Sequence, residues 1–401
     1  MSYRNLLPVV VFATLLAACG PGPIITDPAV CSFSKDITSS IVFSPATCGA
    51  YTISNDIKIS SAMTILPGTT LKFTTEGGLL ITETGSLNAS GTADKPITLT
   101  GVTATSGSWL GLAFRSNDPA NKLIHVNISF AGSKPFCCDY FEAAGQKGSV
   151  LLGGATLASP VQVTIQNSNV SRSGGYGVYL FKTGSLPGFS GNSFKANTQA
   201  SVSLPLSRID QLDTASVYGG AGEPNSEQFV RVLESDNDTN IAQSIKKIDV
   251  AYRMSAGVSG RDLVYKGALI INAGAILEFE SDSGLSIDNT GSLTVNGSTT
   301  EPVVFKGRTA TKGYWKGINI GSLGNTVNFA TIRDAGSSKF CCGQADGAKA
   351  GISIGDNLGV VAAATVSNST FSNNVVGVFT HLASTFTSTG NTFTGNTTDT
   401  N

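Results

Sequence analysis

Two pairs of adjacent cysteines carry the most distinctive chemistry in the chain: Cys137 and Cys138 in "AGSKPFCCDYF", and Cys341 and Cys342 in "AGSSKFCCGQ". Neighbouring thiols can oxidise to a vicinal disulfide, stay reduced, or bond to another molecule. They hold a metal only with further ligands, which these flanks do not identify. Adjacent α-carbons across a trans peptide lie about 3.8 Å apart, below the usual span of a disulfide, so a vicinal bond is strained and easily reduced. The first loop also bears Phe136, Asp139, Tyr140 and Phe141, and the second bears Phe340. Aromatic rings beside a carboxylate suit the face of a sugar ring or a partner protein. The plainer reading is that each cysteine pair stiffens an exposed loop.

The other reactive groups are sparse. The two histidines, His125 and His381, share no neighbouring ligand set and are read as structural or surface residues. His125 corresponds to Phe329 in the repeat described below, so it stands where the other copy has an apolar residue. In "ESDNDTN", Asp236, Asp238 and Asn240 alternate like the start of a calcium loop. Ile241 then occupies the glycine position of such a loop and Lys247 the bidentate glutamate position. The tract therefore reads as a solvated acidic loop, with calcium binding as the remote alternative, and no cofactor or metal site is assigned. Glycosidic hydrolysis needs two carboxylates about 5 to 10 Å apart. The charges compared between the repeats change, with Asp94 becoming Thr300, Lys72 becoming Glu278 and Lys95 becoming Glu301, so no catalytic residue is assigned.

The cysteine phrase occurs twice because most of the chain is an internal repeat. "AMTILPGTTLKFTTEGGLLITETGSLNASG" from Ala62 aligns without a gap to "ALIINAGAILEFESDSGLSIDNTGSLTVNG" from Ala268, and the match continues to Trp109 and Trp315. Within a copy, apolar residues recur two apart, as Leu71/Phe73, Leu79/Ile81, Leu87/Ala89 and Ile97/Leu99, separated by Gly, Thr, Ser and Asn. Each pair is a minimal strand with one buried face, and three strands with their corners close a circuit in about 26 residues. Ser173, Asn197, Asn374 and Asn396 each follow an apolar strand residue by three positions, where a polar side chain bonds up and down a stack. The expected fold is all-β, a right-handed parallel β-helix in two tandem copies, 50–205 and 251–401. The charged stretch 206–250 is expected to be a linker in which Ile241, Ile245 and Ile248 form either a helical turn or an extended segment.

Residues 1–18 have the layout of a secretory signal, with Arg4 followed by a short apolar run. Leu16-Ala17-Ala18-Cys19 resembles the bacterial lipobox, which implies lipidation of Cys19 and a tether and cap over 19–49. Gly20 in place of the Asp that retains many lipoproteins in the inner membrane favours the outer membrane or cell surface. An exported chain meets an oxidising exterior, so Cys31 is expected to pair with Cys48. In a tandem stack the two adjacent pairs lie too far apart to bridge, which favours a disulfide within each. The net charge is −1 and no basic run or basic patch is present, so nucleic acid is excluded as a partner.

"LPGTTLKF", "GSLNASGTADKPITLTG", "NFATIRDAG" and "GNTFTGN" resemble bacterial right-handed parallel β-helix repeat lipoproteins. That resemblance implies the fold and a surface address and carries over no catalytic residue. The wider fold includes polysaccharide lyases and polygalacturonases, but the Asp-Asp pair and Gly-His-Gly tract usual in the latter are missing from this sequence. The expected function is a non-enzymatic binding or scaffold module, lipid-anchored to the membrane, with polysaccharide or envelope proteins as partners. A polysaccharide-active enzyme working on the side groove is the alternative.

Overall fold

The computed structural model describes residues 31–136, 145–154, 159–233, 240–255, 262–340 and 348–401. Over these residues the chain is all-β with long parallel sheets, and its only helical element is a short 3-10 turn, Leu206–Gln211. Successive strands go to different sheets. Thr70–Phe73 joins a 7-stranded sheet, Gly78–Ile81 a 13-stranded sheet, Ser86–Ser90 a 5-stranded sheet, and Ile97–Gly101 returns to the first. The paired apolar residues read from the sequence all face the interior: Leu71, Phe73, Leu79, Ile81, Leu87, Ala89, Ile97 and Leu99 are 0% exposed. Burying each large member contributes about 1.5–3 kcal/mol. The circuit is less regular than 26 residues, since Tyr51 pairs with Leu71 and Ile128 with Val170. Stacked corners force close approaches. A Cβ on Gly85 would come within 1.9 Å of the Ile59 carbonyl oxygen, which is why this corner carries glycine.

The expected polar ladder is present and longer than the sequence suggested. Ser173 N–H donates to Asn197 Oδ1 at 3.0 Å, and Asn197 N–H donates to Asn225 Oδ1 at 3.0 Å. In the second copy Ala335 N–H donates to Asn374 Oδ1, and Asn374 N–H to Asn396 Oδ1, both at 2.9 Å. A parallel series runs from Ser168 N–H to Asn192 Oδ1 and from Asn192 N–H to Ser216 Oγ. Replacing the buried Asn197 with alanine leaves the Ser173 N–H without its acceptor. The expected cost is about 1–3 kcal/mol in urea unfolding, with faster amide exchange at Ser173. Unchanged exchange there would show the ladder to be dispensable.

Asn225 and Ser216 belong to the stretch expected to be a linker, and here the reading is corrected. Phe229–Leu233 pairs with Val202–Pro205 on one side and Ala251–Ser255 on the other, so the 13-stranded sheet runs unbroken through 206–250. Gln243–Ile245 is a strand, with Ile245 buried and Ile241 49% exposed, which selects the extended alternative. Charges within this stretch are paired rather than left to solvent: Arg231 bridges Glu227, Glu223 bridges Arg172 and Lys247 bridges Glu301. Just beyond it Arg253 bridges Glu278 and Glu280, and its guanidinium lies 4.0 Å from the Phe229 ring centre.

Continuity comes with a change of phase. Thr70–Phe73 lies in the 7-stranded sheet, whereas its sequence equivalent Ile276–Phe279 lies in the 13-stranded one. Gly78–Ile81 belongs to the 13-stranded sheet, and its equivalent Gly284–Ile287 is the second strand of a separate 6-stranded sheet, after Leu263–Tyr265. The second copy is thus displaced by one sheet around the stack as well as along it. His125 and its equivalent Phe329 are both corner residues, with φ of 48° and 49°, so the same chain kink recurs in each copy.

Candidate functional site

The phenylalanine directly ahead of each cysteine pair packs on a glycine. Phe136, 0% exposed, lies over the start of Gly78–Ile81, where a Cβ on Gly78 would come within 3.2 Å of its ring. Phe340, 3% exposed, does the same at Gly284, where a Cβ would come within 2.6 Å. These phenylalanines were expected as ligand-stacking rings. The structure makes them anchors buried against a sheet, because covering bare glycine backbone with an aromatic ring is favourable. Cys137, Cys138, Asp139, Tyr140, Phe141, Cys341 and Cys342 lie outside the described residues, as do Cys19, Asp236 and Asp238. The disulfide between Cys31 and Cys48 is present, with α-carbons 5.9 Å apart, and it closes the first strands of the stack.

Beside each anchor stands a group of charges that the sequence reading missed. In the first copy Asp56 pairs in register with Gly78, and Lys134 Nζ lies 2.6 Å from Glu76 Oε2. Burial holds the Asp56 carboxyl above its usual range, Lys58 and Lys134 oppose the shift, and Asp36 adds to it. In the second copy Lys316 Nζ lies 2.9 Å from Asp262 and 5.8 Å from the centre of the Phe340 ring. Ser337 and Ser338 both donate to Asp282 Oδ1. Asp262 is likewise raised, first by burial, with Lys316 opposing and Asp282 adding to the shift.

Asp56 and Asp262 are sequence equivalents, and so are Glu76 and Asp282. The acidic pair is kept while the lysine moves. Leu110 stands at the position equivalent to Lys316, and Ser338 at that of Lys134. The signal was available, since "DIKI" from Asp56 and "DLVY" from Asp262 stand just upstream of the aligned block at the same offset. Two carboxylates with one ammonium can accept hydrogen bonds from ligand hydroxyls and donate to ligand oxygens. No protein-family model, curated protein or solved structure matches the chain.

Proposed function

We propose that the chain is a right-handed parallel β-helix that serves as a lipid-anchored surface module of the bacterial envelope, binding or scaffolding polysaccharide or envelope proteins without catalysis. The observation that carries the reading is the doubled corner: an acidic pair, a lysine and an anchored phenylalanine directly ahead of two adjacent cysteines. Such a set is suited to hydroxyl-rich ligands, because carboxylates and ammonium groups fix sugar hydroxyls in both hydrogen-bonding senses. The first-copy ion pair is solvent-exposed, with side chains 53% and 62% exposed, as a recognition surface requires.

Titrating the purified protein with acidic and neutral polysaccharides, while following reducing ends and unsaturated products, tests this. Saturable binding without product is expected, weakened about tenfold by Glu76→Gln or Asp282→Asn, the loss of about one charge-assisted hydrogen bond. Turnover abolished by replacing one acidic residue would overturn the reading in favour of the polysaccharide-active enzyme. Absence of binding to every glycan and envelope fraction would remove the binding role.

A further inference from the structure

The two copies differ on the outer face of equivalent strands. In the first copy Leu80, Ala113, Leu151 and Tyr179 follow one another in register across the 13-stranded sheet and, with Phe181, belong to one buried apolar cluster. In the second copy the corresponding line is Ser286, Asn319, Ser353 and Phe379, also in register, and His381 replaces Phe181. Asn319 Nδ2 donates to Ser286 Oγ at 3.0 Å.

At the end of this polar line three side chains meet. Ser353 Oγ lies 3.4 Å from His381 Nε2, and His381 Nδ1 lies 3.0 Å from Asn357 Oδ1. Their elements hold them firmly. Ser353 is on Ala350–Ile354, His381 directly follows Val376–Thr380, and the two strands are paired. Asn357 sits on the next turn, where Asp356 Oδ1 accepts from the N–H groups of Leu358 and Val360. With Oδ1 of Asn357 facing Nδ1, the imidazole carries its proton on Nδ1 and leaves Nε2 to accept from the serine hydroxyl. Burial lowers the His381 pKa, against the charge of Asp356, and favours this neutral form. In sequence the first copy has Leu151, Ala155 and Phe181 at the aligned positions, so the three polar groups occur together in the second copy alone.

We propose that Ser353, His381 and Asn357 form a nucleophile, general base and positioning residue for transfer of a small acyl group, an activity confined to the second copy. The Ser353 Oγ attacks the ester carbonyl and its proton passes to His381 Nε2. The C–O bond to the alcohol then breaks, and the alcohol leaves with that proton. Water, deprotonated by the same imidazole, cleaves the acyl-serine to release the acid and restore the hydroxyl. Ser353 is 1% exposed and His381 3%, so the set selects compact electrophiles over polymers.

The test treats the full chain with phenylmethylsulfonyl fluoride, in which the Oγ–S bond forms as the S–F bond breaks, and with p-nitrophenyl acetate. A sulfonyl adduct on the peptide containing Ser353 is expected, along with ester hydrolysis. Both should be lost in Ser353→Ala and slowed about a hundredfold or more in His381→Gln and His381→Phe. His381→Phe installs the residue the first copy uses, so its fold should survive, as circular dichroism would show. Asn357→Ala should slow labelling about tenfold and displace the midpoint of its pH profile, which a purely structural residue would leave in place. No adduct at Ser353 in the folded protein, or equal labelling in the folded His381→Phe variant, would overturn the proposal.

Discussion

Exchange of Cys19 for serine is expected to move the protein almost completely from the membrane pellet to the supernatant. No helix among the described residues is long and apolar enough to cross a bilayer, so in the proposed reading attachment rests on the acyl chains of this one residue. Each acyl chain contributes about 0.8 kcal/mol per buried methylene, and a single chain holds only reversibly, so two or more shift the partition by orders of magnitude. Fractionation after a high-salt wash, with metabolic labelling by a fatty-acid analogue, reads both attachment and its chemistry. A serine variant that still sediments would place the anchor elsewhere.

Replacing Trp315 with alanine is expected to cause the largest single loss of stability. The indole is fully buried, stacks on Phe279 with ring centres 4.1 Å apart, and donates its Nε1–H to the Arg333 carbonyl at 2.7 Å. Truncating a buried tryptophan costs about 3–5 kcal/mol through lost contacts and the cavity left behind. Trp315→Phe keeps most of the packing but orphans the carbonyl, at about 1–3 kcal/mol. In a stack each circuit leans chiefly on its neighbours, so the loss should appear first as faster amide exchange in Ile276–Phe279, Val303–Gly307 and Ala330–Arg333. Trp109, stacked on Phe73 and donating to the Ser129 carbonyl, should repeat the pattern around its own circuits. Uniform exchange across the whole chain would mean that the stack unfolds as one unit.

The interior was legible because it is local. Alternation at Leu71/Phe73 or Leu79/Ile81 states which side chains turn inward without reference to the rest of the chain, and the asparagine positions follow from the same spacing. What failed was inference from charge. Arg231 sits on a strand whose inner face is apolar, and the pairing of Arg253, Glu278 and Lys306 across adjoining strands cannot be seen until neighbouring circuits are set in register. The phase change between copies was hidden for a related reason, since a gapless alignment records equivalence along the chain and says nothing about rotation around an axis. Phe136 illustrates the same limit at the candidate site. An aromatic residue beside cysteines in a loop has the composition of a binding surface, and only the bare backbone at Gly78 turns it into an anchor.

In the proposed binding role, the displacement by one sheet sets the geometry a bivalent ligand would have to match. The first cysteine loop precedes Gly148–Leu152 of the 13-stranded sheet, and the second follows Ala330–Arg333, seven rungs further along. At about 4.8 Å per rung these two points of the sheet lie about 34 Å apart axially, one at the start of its strand and the other at the end of its strand. A straight polymer lying along one edge reaches one of them, whereas a chain crossing the sheet obliquely reaches both. Tethering at the first point then raises the effective concentration at the second only for ligands long enough to take that diagonal. Affinity should therefore rise steeply once a ligand exceeds this span and level off beyond it, and two first-copy corners joined in line would lose the dependence on direction.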